Sequence, residues 1–284
     1  MKYQNVNFQA RMVNLLPRMF RRPANNLRIL PRYLQWYLHQ NGRKHAIEIM
    51  KPLHNKYLGY RCVIIGNGPS LNKMDLGILK KEFTFGLNRI YLLFNKLGFE
   101  TDLLIVVNGL VMKQFVNDIN EVNSMKIMNW IHHHPYSIDE KTVFLNPKPS
   151  NSMDGKVLKG FLSGAGSVTN LALEVAYYYG FSEVVLIGVD HSYSVSGIPG
   201  QAIESTSEDQ NHFAPNYFGS GVSWQLPNYT AMEFGYSSAK LLFESSNRRI
   251  VDATINGKLQ VFQKVEFESH LLSSQYMNKL NNSE

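Results

Sequence analysis

The sequence predicts an α/β protein of the Rossmann-like class, with a mostly parallel sheet and helices on both faces. From residue 61 onward, short apolar runs alternate with stretches of helical periodicity. The clearest buried strand is EVVLIGVD, residues 183–190, and the clearest strand exit is GNGPSL, residues 66–71. In a sheet built this way, the ligand crevice lies at the carboxyl ends of the strands.

The other elements follow in chain order. Further strands are predicted at Val63–Ile65, Phe83–Leu87, Leu103–Val107, Lys126–Ile131 and Thr142–Leu145. Helical spacing is found from Leu110 to Ile119 and from Val168 to Ala176, where small residues open the helix and Gly180 ends it. The single cysteine, Cys62, is expected to be buried as a small apolar residue. Residues 198–222, rich in Gly, Ser, Asn and aromatics, are expected to form a lid or binding loop.

Charge separates the amino-terminal segment from the rest of the chain. Residues 1–60 contain eleven Lys and Arg against one acid, Glu48, so this segment carries +10 and the remainder −3. We therefore expect a basic amphipathic extension over residues 1–58 and a nucleotide-binding catalytic domain over residues 59–284. Leucines and aromatics lie between the basic residues, which suits an anionic membrane surface better than a nucleic acid. Packing of the extension on the main domain, with its charges in solvent, would explain the same pattern.

The lengths of the apolar segments indicate where in the cell the protein is expected to be. No segment reaches transmembrane length, and the first residues lack an apolar run of signal-peptide length. We expect a cytoplasmic protein, peripheral on the inner membrane face if the extension binds lipid.

The stretch GNGPSL has the character of a ligand-binding turn. Gly66 and Gly68 allow close approach of the backbone to a ligand, and the turn N–H groups could face an anion. Asn67, Pro69 and Ser70 complete the turn. The lysine of a Walker loop and the third glycine of a dinucleotide fingerprint are both missing. A tight strand exit without a ligand is the alternative interpretation.

Polar residues follow three other predicted strands, namely Asn88, Asn108 and Asp190. Carboxamides both donate and accept hydrogen bonds, which suits a base or ribose edge, although each Asn could instead satisfy its own turn. Ser163 and Gly164 open a second small-residue turn, SGAGS, at a helix start, where an anion could bind.

Two histidines are candidate site residues. His212 follows Asn211 in EDQNHFAPNYFG, a segment with no apolar period that would bury it, and an imidazole there could take a proton from a hydroxyl. A surface histidine is the alternative. His191, directly after Asp190, could orient a phosphate or close the turn. No metal site is expected.

Four motifs carry a family resemblance. GNGPSL, SGAGSVTNLALEVAYYYGF, VVLIGVDHSY and NHFAPNYFG resemble the family named after archaeal 6-hydroxymethylpterin diphosphokinase (MptE-like), over residues 55–267. That family also contains motility-associated flagellin glycosyltransferases. The first and third motifs are similar to those of bacterial sialyltransferases that use CMP-activated sugars.

The resemblance implies roles for individual residues. His212 would be the base, Tyr193 would assist the leaving phosphate, and Asp190 would complete the catalytic set. Nucleotide contacts are implied for Gly66, Asn67, Gly68, Pro69, Ser70, Asn88, Asn108, Ser163, Gly164 and Gly188, with His191 and Asn211 as further pocket residues. Tyr193 stands one residue further from Gly188 than the sialyltransferase tyrosine does.

A second departure concerns the leaving group. Pterin kinase-like members tend to have Asp where this chain has Asn108, and Mg²⁺ prefers carboxylates beside phosphates. This favours CMP as a leaving group that needs no metal. We expect a glycosyltransferase for bacterial surface glycans, with no bound cofactor, that transfers a CMP-linked acidic sugar to a glycan or lipid-linked acceptor. The alternatives are a pterin diphosphokinase using ATP with Mg²⁺, and a non-catalytic nucleotide-binding partner in a glycan assembly complex.

Overall fold

A computed structural model describes residues 36, 38, 40–148, 157, 160–163, 166–195 and 197–279. Contacts divide the chain into two units, residues 1–44 and residues 45–284. Most of the predicted basic extension lies outside the described residues, so its contact with a membrane remains a prediction. No helix in the described ranges is both long and apolar enough to span a membrane.

The strands of the second unit form one parallel sheet and one small hairpin. They are β1 (Arg61–Ile65), β2 (Phe83–Leu87), β3 (Leu103–Val106), β4 (Met125–Asn129), β5 (Thr142–Lys148), β6 (Phe161–Ser163), β7 (Glu183–Ile187), β8 (Ala202–Glu204), β9 (Ser223–Gln225), β10 (Arg249–Asp252) and β11 (Gln263–Lys264). The main sheet has the order β11-β10-β7-β1-β2-β3-β4-β5-β6, and all its pairs are parallel. Strands β8 and β9 pair antiparallel outside it. The predicted Rossmann-like fold class is confirmed.

The helices connect and cover these strands. They are α1 (Gln40–Met50), α2 (Phe94–Leu97), α3 (Gly109–Gln114), α4 (Val116–Glu121), α5 (Val168–Tyr179), α6 (Tyr229–Glu244) and α7 (Phe267–Ser273). Short 3-10 turns occur at Lys51–Leu53, Pro69–Lys73, Gly77–Lys81, Ile90–Leu93 and Trp130–His132. The helix predicted near Leu110–Ile119 is broken at Phe115 into α3 and α4. The stop predicted at Gly180 is confirmed, because Gly180 has a left-handed φ of 95° after α5.

The central strands β1 and β7 are buried along their whole length. Cys62 lies on β1 and is buried, as expected, and burial raises the pKa of its thiol well above the ordinary value. The strand order reverses here, because β2 to β6 extend to one side of β1 while β7 returns to the other. In open α/β sheets, ligands bind outside the carboxyl ends of the strands at such a switch point.

At the opposite, amino end of β1, a buried ion pair joins neighbouring segments. The Arg61 guanidinium donates to both carboxylate oxygens of Glu82, at 2.8 and 2.7 Å, and both residues are less than 5% exposed. Two parallel hydrogen bonds satisfy both charges without water.

We expect Glu82→Ala to lower the free energy of unfolding by about 3–5 kcal/mol, because it leaves the Arg61 charge buried without its carboxylate. Urea unfolding measures this, with exposed Glu121→Ala as the control. Replacing the pair together, as Arg61→Met with Glu82→Leu, should cost much less than Glu82→Ala alone. Equal costs for Glu82→Ala and the control would contradict the importance of the pair.

Candidate active site

A cleft of about 290 Å³ lies at the switch point. Its walls come from the carboxyl ends of the central strands, the amino terminus of α5 and the lid segment, which we define as residues 198–222. The predicted site residues that line it are Gly66, Asn67, Gly68, Asn88, Asn108, Gly188, Asp190, His191, Tyr193, Asn211 and His212. The structure therefore brings together residues that are up to 146 positions apart, from Gly66 to His212.

The turn after β1 is bonded to the turn after β7. The N–H groups of Gly66 and Gly68 donate to the carbonyls of Ile187 and Gly188, both at 2.8 Å. Ser70 donates from its backbone N–H and its hydroxyl to the two carboxylate oxygens of Asp190, at 3.1 and 2.7 Å. The N–H groups of Gly66, Gly68 and Ser70 are therefore used within the protein, and the Ser70 N–H faces the carboxylate of Asp190.

The glycines of this turn are required for space. A Cβ at Gly66 would overlap the Gly188 carbonyl, and one at Gly68 would overlap the Asp190 carboxylate. Gly68 has φ of −70°, which any residue can adopt, so a left-handed conformation is not the reason for this glycine. Pro69 begins the following 3-10 turn, and Ser70 is buried; neither is among the residues that line the cleft.

The three asparagines of the cleft differ in what they can offer a ligand. Asn108 caps α3, since its Oδ1 accepts from the N–H groups of Leu110 and Val111 at 2.9 and 3.3 Å. The Oδ1 atoms of Asn67 and Asn88 are buried and have no hydrogen-bond partner within the described residues. A buried polar atom without a partner is costly, so these two carboxamides are the stronger candidates for ligand contact.

The amino terminus of α5 provides the anion-facing element that the turn after β1 does not. Residues 166–169 line the cleft, and Ser167 caps the helix by accepting from the N–H of Asn170 at 3.2 Å. Gly166 has a left-handed φ of 80° and packs closely against Ala231. The first N–H groups of a helix have no partners within the helix and attract negative charge. Ser163 ends β6, but its side chain and all of Gly164 lie outside the described residues.

His212 lines the cleft and pairs with Asp209, which is not among the cleft-lining residues. Nδ1 of His212 lies 2.7 Å from Asp209 Oδ2, and the side chains are 11% and 4% exposed. The same carboxylate accepts from the backbone N–H groups of Asn211 and Phe218, which fixes its orientation. The His212 ring also stacks on Tyr217, with ring centres 4.0 Å apart and planes at 6°. A carboxylate that accepts from Nδ1 leaves Nε2 as the nitrogen that can take a proton.

Two further predicted residues, His191 and Tyr193, line the cleft. His191 has a left-handed φ of 54°, and its Nε2 lies 2.9 Å from Glu233 Oε1. Its Nδ1 is buried without a partner in the described part of the chain. Tyr193 lies in edge contact with His212, at 6.3 Å between ring centres. Burial raises the pKa of Tyr193, so its phenol is protonated at neutral pH.

Sequence reasoning missed the residue that fixes the lid segment, Arg89. Its guanidinium donates to the carbonyls of Asn216, at 3.1 Å, and of Tyr217, and it lies 3.6 Å from the centre of the Phe115 ring. Arg89 is only 5% exposed. Its position directly after Asn88 at a predicted strand end was the available signal, but sequence alone does not distinguish a buried arginine from a surface one.

The aromatic side chains that line the cleft were also not predicted from the sequence. Tyr217, Phe218, Trp224 and Tyr236 all line the cleft. Burial raises the pKa of Tyr236, while a hydrogen bond with Ser167 opposes that change. None of the described residues that line the cleft is Lys or Arg, so Asp190, His191 and His212 are its ionisable groups besides tyrosines.

Comparison with known proteins agrees with this architecture. The profile of a family described as 6-hydroxymethylpterin diphosphokinase MptE-like matches residues 38–196, more than half of the 284 residues. The chain belongs to the MptE-like family. A search of curated proteins finds no significant match to this sequence.

A solved structure extends the likeness of this MptE-like protein beyond the matched residues. It is that of the MAf glycosyltransferase from Magnetospirillum magneticum AMB-1, with a TM-score of 0.51 and 12% identity. The match covers 85% of this chain and 41% of that chain. At this identity the likeness shows a shared fold.

We expect Gly68→Ala to lower the free energy of unfolding by about 1–3 kcal/mol, because the new methyl group overlaps Asp190. Gly219→Ala is the matched control, since a Cβ there meets its nearest neighbour at 3.8 Å. Removing the opposing carboxylate with Asp190→Ala should recover part of the loss, which a double-mutant cycle measures by urea unfolding. A Gly68→Ala variant as stable as the control would contradict the close contact between the two turns.

Proposed function

We propose that this MptE-like protein is a glycosyltransferase that uses a CMP-activated acidic sugar as donor and a glycan hydroxyl as acceptor. The observation that carries the proposal is that His212, paired with Asp209 at 2.7 Å, lines the same cleft as the glycine turn and the unpaired asparagines. A paired imidazole beside a nucleotide-sized cleft suits the removal of a proton from an acceptor hydroxyl.

The nucleotide would lie at the carboxyl ends of β1 and β2. The buried Oδ1 atoms of Asn67 and Asn88 can accept from an exocyclic amine or ribose hydroxyls, as cytidine provides. Its single phosphate would meet the amino terminus of α5, since none of the described residues that line the cleft is Lys or Arg.

The transfer requires one proton removal and one bond exchange. Nε2 of His212 takes the proton from the acceptor hydroxyl while the acceptor oxygen forms a bond to the anomeric carbon of the donor sugar. The bond from that carbon to the phosphate oxygen breaks, and its electron pair leaves with CMP. Asp209 stabilises the imidazolium that forms, and the Tyr193 phenol, kept protonated by burial, can donate to the departing phosphate.

The diphosphokinase alternative fits these residues less well. Transfer from ATP needs Mg²⁺ held by carboxylates and cations near a triphosphate. Asp190 is the carboxylate among the described lining residues, and both of its oxygens accept from Ser70. The Oδ1 of Asn108 already caps α3 by accepting two backbone hydrogen bonds. The donor set therefore suits a monophosphate leaving group.

The basic amino-terminal residues complete the proposal. Their +10 charge would hold the protein at the inner face of a membrane, peripherally, where lipid-linked acceptors for surface glycans are found. Release of the protein from acidic vesicles by salt would test this part separately.

We expect His212→Ala to lower kcat by roughly 10²-fold or more, with little change in the affinity for CMP. Activity of the unchanged protein should fall toward acidic pH, because a protonated imidazole can no longer act as a base. Asp209→Asn should also lower kcat, by a smaller factor, because His212 keeps its nitrogen but loses the charge that stabilises its imidazolium.

The measurement is release of CMP from CMP-sialic acid, followed from pH 5 to 9. His134→Ala, at an exposed histidine outside the cleft, is the control. Full activity of His212→Ala, or a pH profile that this variant leaves unaltered, would remove His212 from the mechanism.

We expect Tyr193→Phe to lower kcat by about 10-fold or more, because it removes one donor to the leaving phosphate. Since burial raises the pKa of this phenol, the loss should be the same from pH 6 to 8. Donors with a better leaving group should reduce the loss, and parallel kcat measurements test this. A loss confined to one side of that pH range would mean that Tyr193 acts through proton transfer instead.

A further inference from the structure

A second cavity, of about 270 Å³, lies in the lid region beside the cleft. The two cavities share Asn211, Phe218 and Trp224 as lining residues. The cleft, at about 290 Å³, is at the lower end of the ~300–1,000 Å³ that one drug-sized ligand occupies. A reaction of two substrates needs more space than that, and the second cavity provides it.

The shared boundary is an aromatic wall next to the base. Trp224 stacks on Phe218, with ring centres 5.8 Å apart, and on Tyr193, at 6.4 Å. Asn211 directly precedes His212 in the chain, and Asp209, which holds His212, also lines the second cavity. Because the two cavities share Asn211, Phe218 and Trp224, a substrate in the second cavity lies next to the cleft whose lining includes His212.

The other surfaces of the cavity are hydroxyl-rich and acidic. The polar lining includes Ser205, Thr206 and Ser207, and its charged side chains are those of Glu204, Glu208 and Asp209. Glu204 and Glu208 are exposed and make no ion pair among the described residues. Ionised carboxylates only accept hydrogen bonds, so they suit the hydroxyl donors of a sugar, and their charge opposes an anionic ligand. Phe218 and Trp224 add apolar side chains to the lining of this cavity.

We propose that this cavity is the acceptor subsite and that it selects a neutral, hydroxyl-rich sugar over an acidic one. The inference rests on the proposed function and adds the class of acceptor. The sugar hydroxyl that reaches the boundary would give its proton to His212 Nε2, as in the transfer described above, while the remaining hydroxyls bind the carboxylates of Glu204 and Glu208.

The test is binding of two matched probes to the full chain in the presence of CMP. Methyl glucoside and methyl glucuronoside differ only in the group at C6, which is a neutral alcohol in the first and a carboxylate in the second. Saturation-transfer NMR titrations should show the glucoside saturating and the glucuronoside binding at least about 10-fold more weakly.

Three variants make the test specific. Thr206→Trp, at an exposed position of the cavity, should abolish glucoside binding and leave the CMP affinity unchanged, which also reports that the variant is folded. Glu204→Gln combined with Glu208→Gln should keep glucoside binding and bring the glucuronoside to within about 3-fold of it, because the charge is lost and the acceptor oxygens remain. Glu244→Gln, at the exposed end of α6, is the charge-matched control and should change the affinity for neither sugar.

Several results would overturn the subsite. Equal or tighter binding of the glucuronoside, undiminished glucoside binding in Thr206→Trp, or no saturable sugar binding while CMP binds would each do so, and the last leaves the donor cleft intact. Failure of the unchanged protein to bind CMP would instead contradict the proposed function, on which this inference depends.

Discussion

The site depends on the contact between the turn after β1 and the turn after β7. These strands are neighbours at the point where the strand order reverses, so their exits must pass each other within one cleft. Glycine at positions 66 and 68 makes the passage possible, and the two hydrogen bonds from Ser70 to Asp190 join the turns. Because these polar groups satisfy one another, the turn supports the cleft, and the proposed nucleotide would be bound by side chains such as Asn67 and by the amino terminus of α5.

The lid segment is held to this support at defined points. The N–H of Phe213 donates to the Asn67 carbonyl at 2.9 Å, and Arg89 donates to two lid carbonyls. These contacts place Tyr217 under the His212 ring, while Asp209 fixes the ring from its edge. A general base must be held within a fraction of an ångström to be effective, and a loop alone does not provide that. The buried arginine and the tyrosine supply the missing rigidity.

Apolar runs and the polar residues at strand ends are local signals. The sequence alone therefore predicted the fold class and most of the residues that line the cleft. The sequence alone did not predict which contacts each of these residues makes. The amides of Gly66, Gly68 and Ser70 were expected to face an anion, but the partner that uses them is about 120 positions away. Asn108 could be a cap or a ligand, and its Oδ1 is used for capping. Arg89 and Asp209 gain their roles from burial and from tertiary contacts, which residue type and spacing do not reveal.

We propose that the cleft binds cytidine monophosphate without a metal. Isothermal titration of CMP and ATP into the protein, each with EDTA and then with Mg²⁺, tests it most directly. We predict saturable CMP binding of equal affinity in both conditions, weakened when Asn67 and Asn88 are replaced by Ala. Binding of ATP alone, and only with Mg²⁺, would contradict the account and support diphosphate transfer instead.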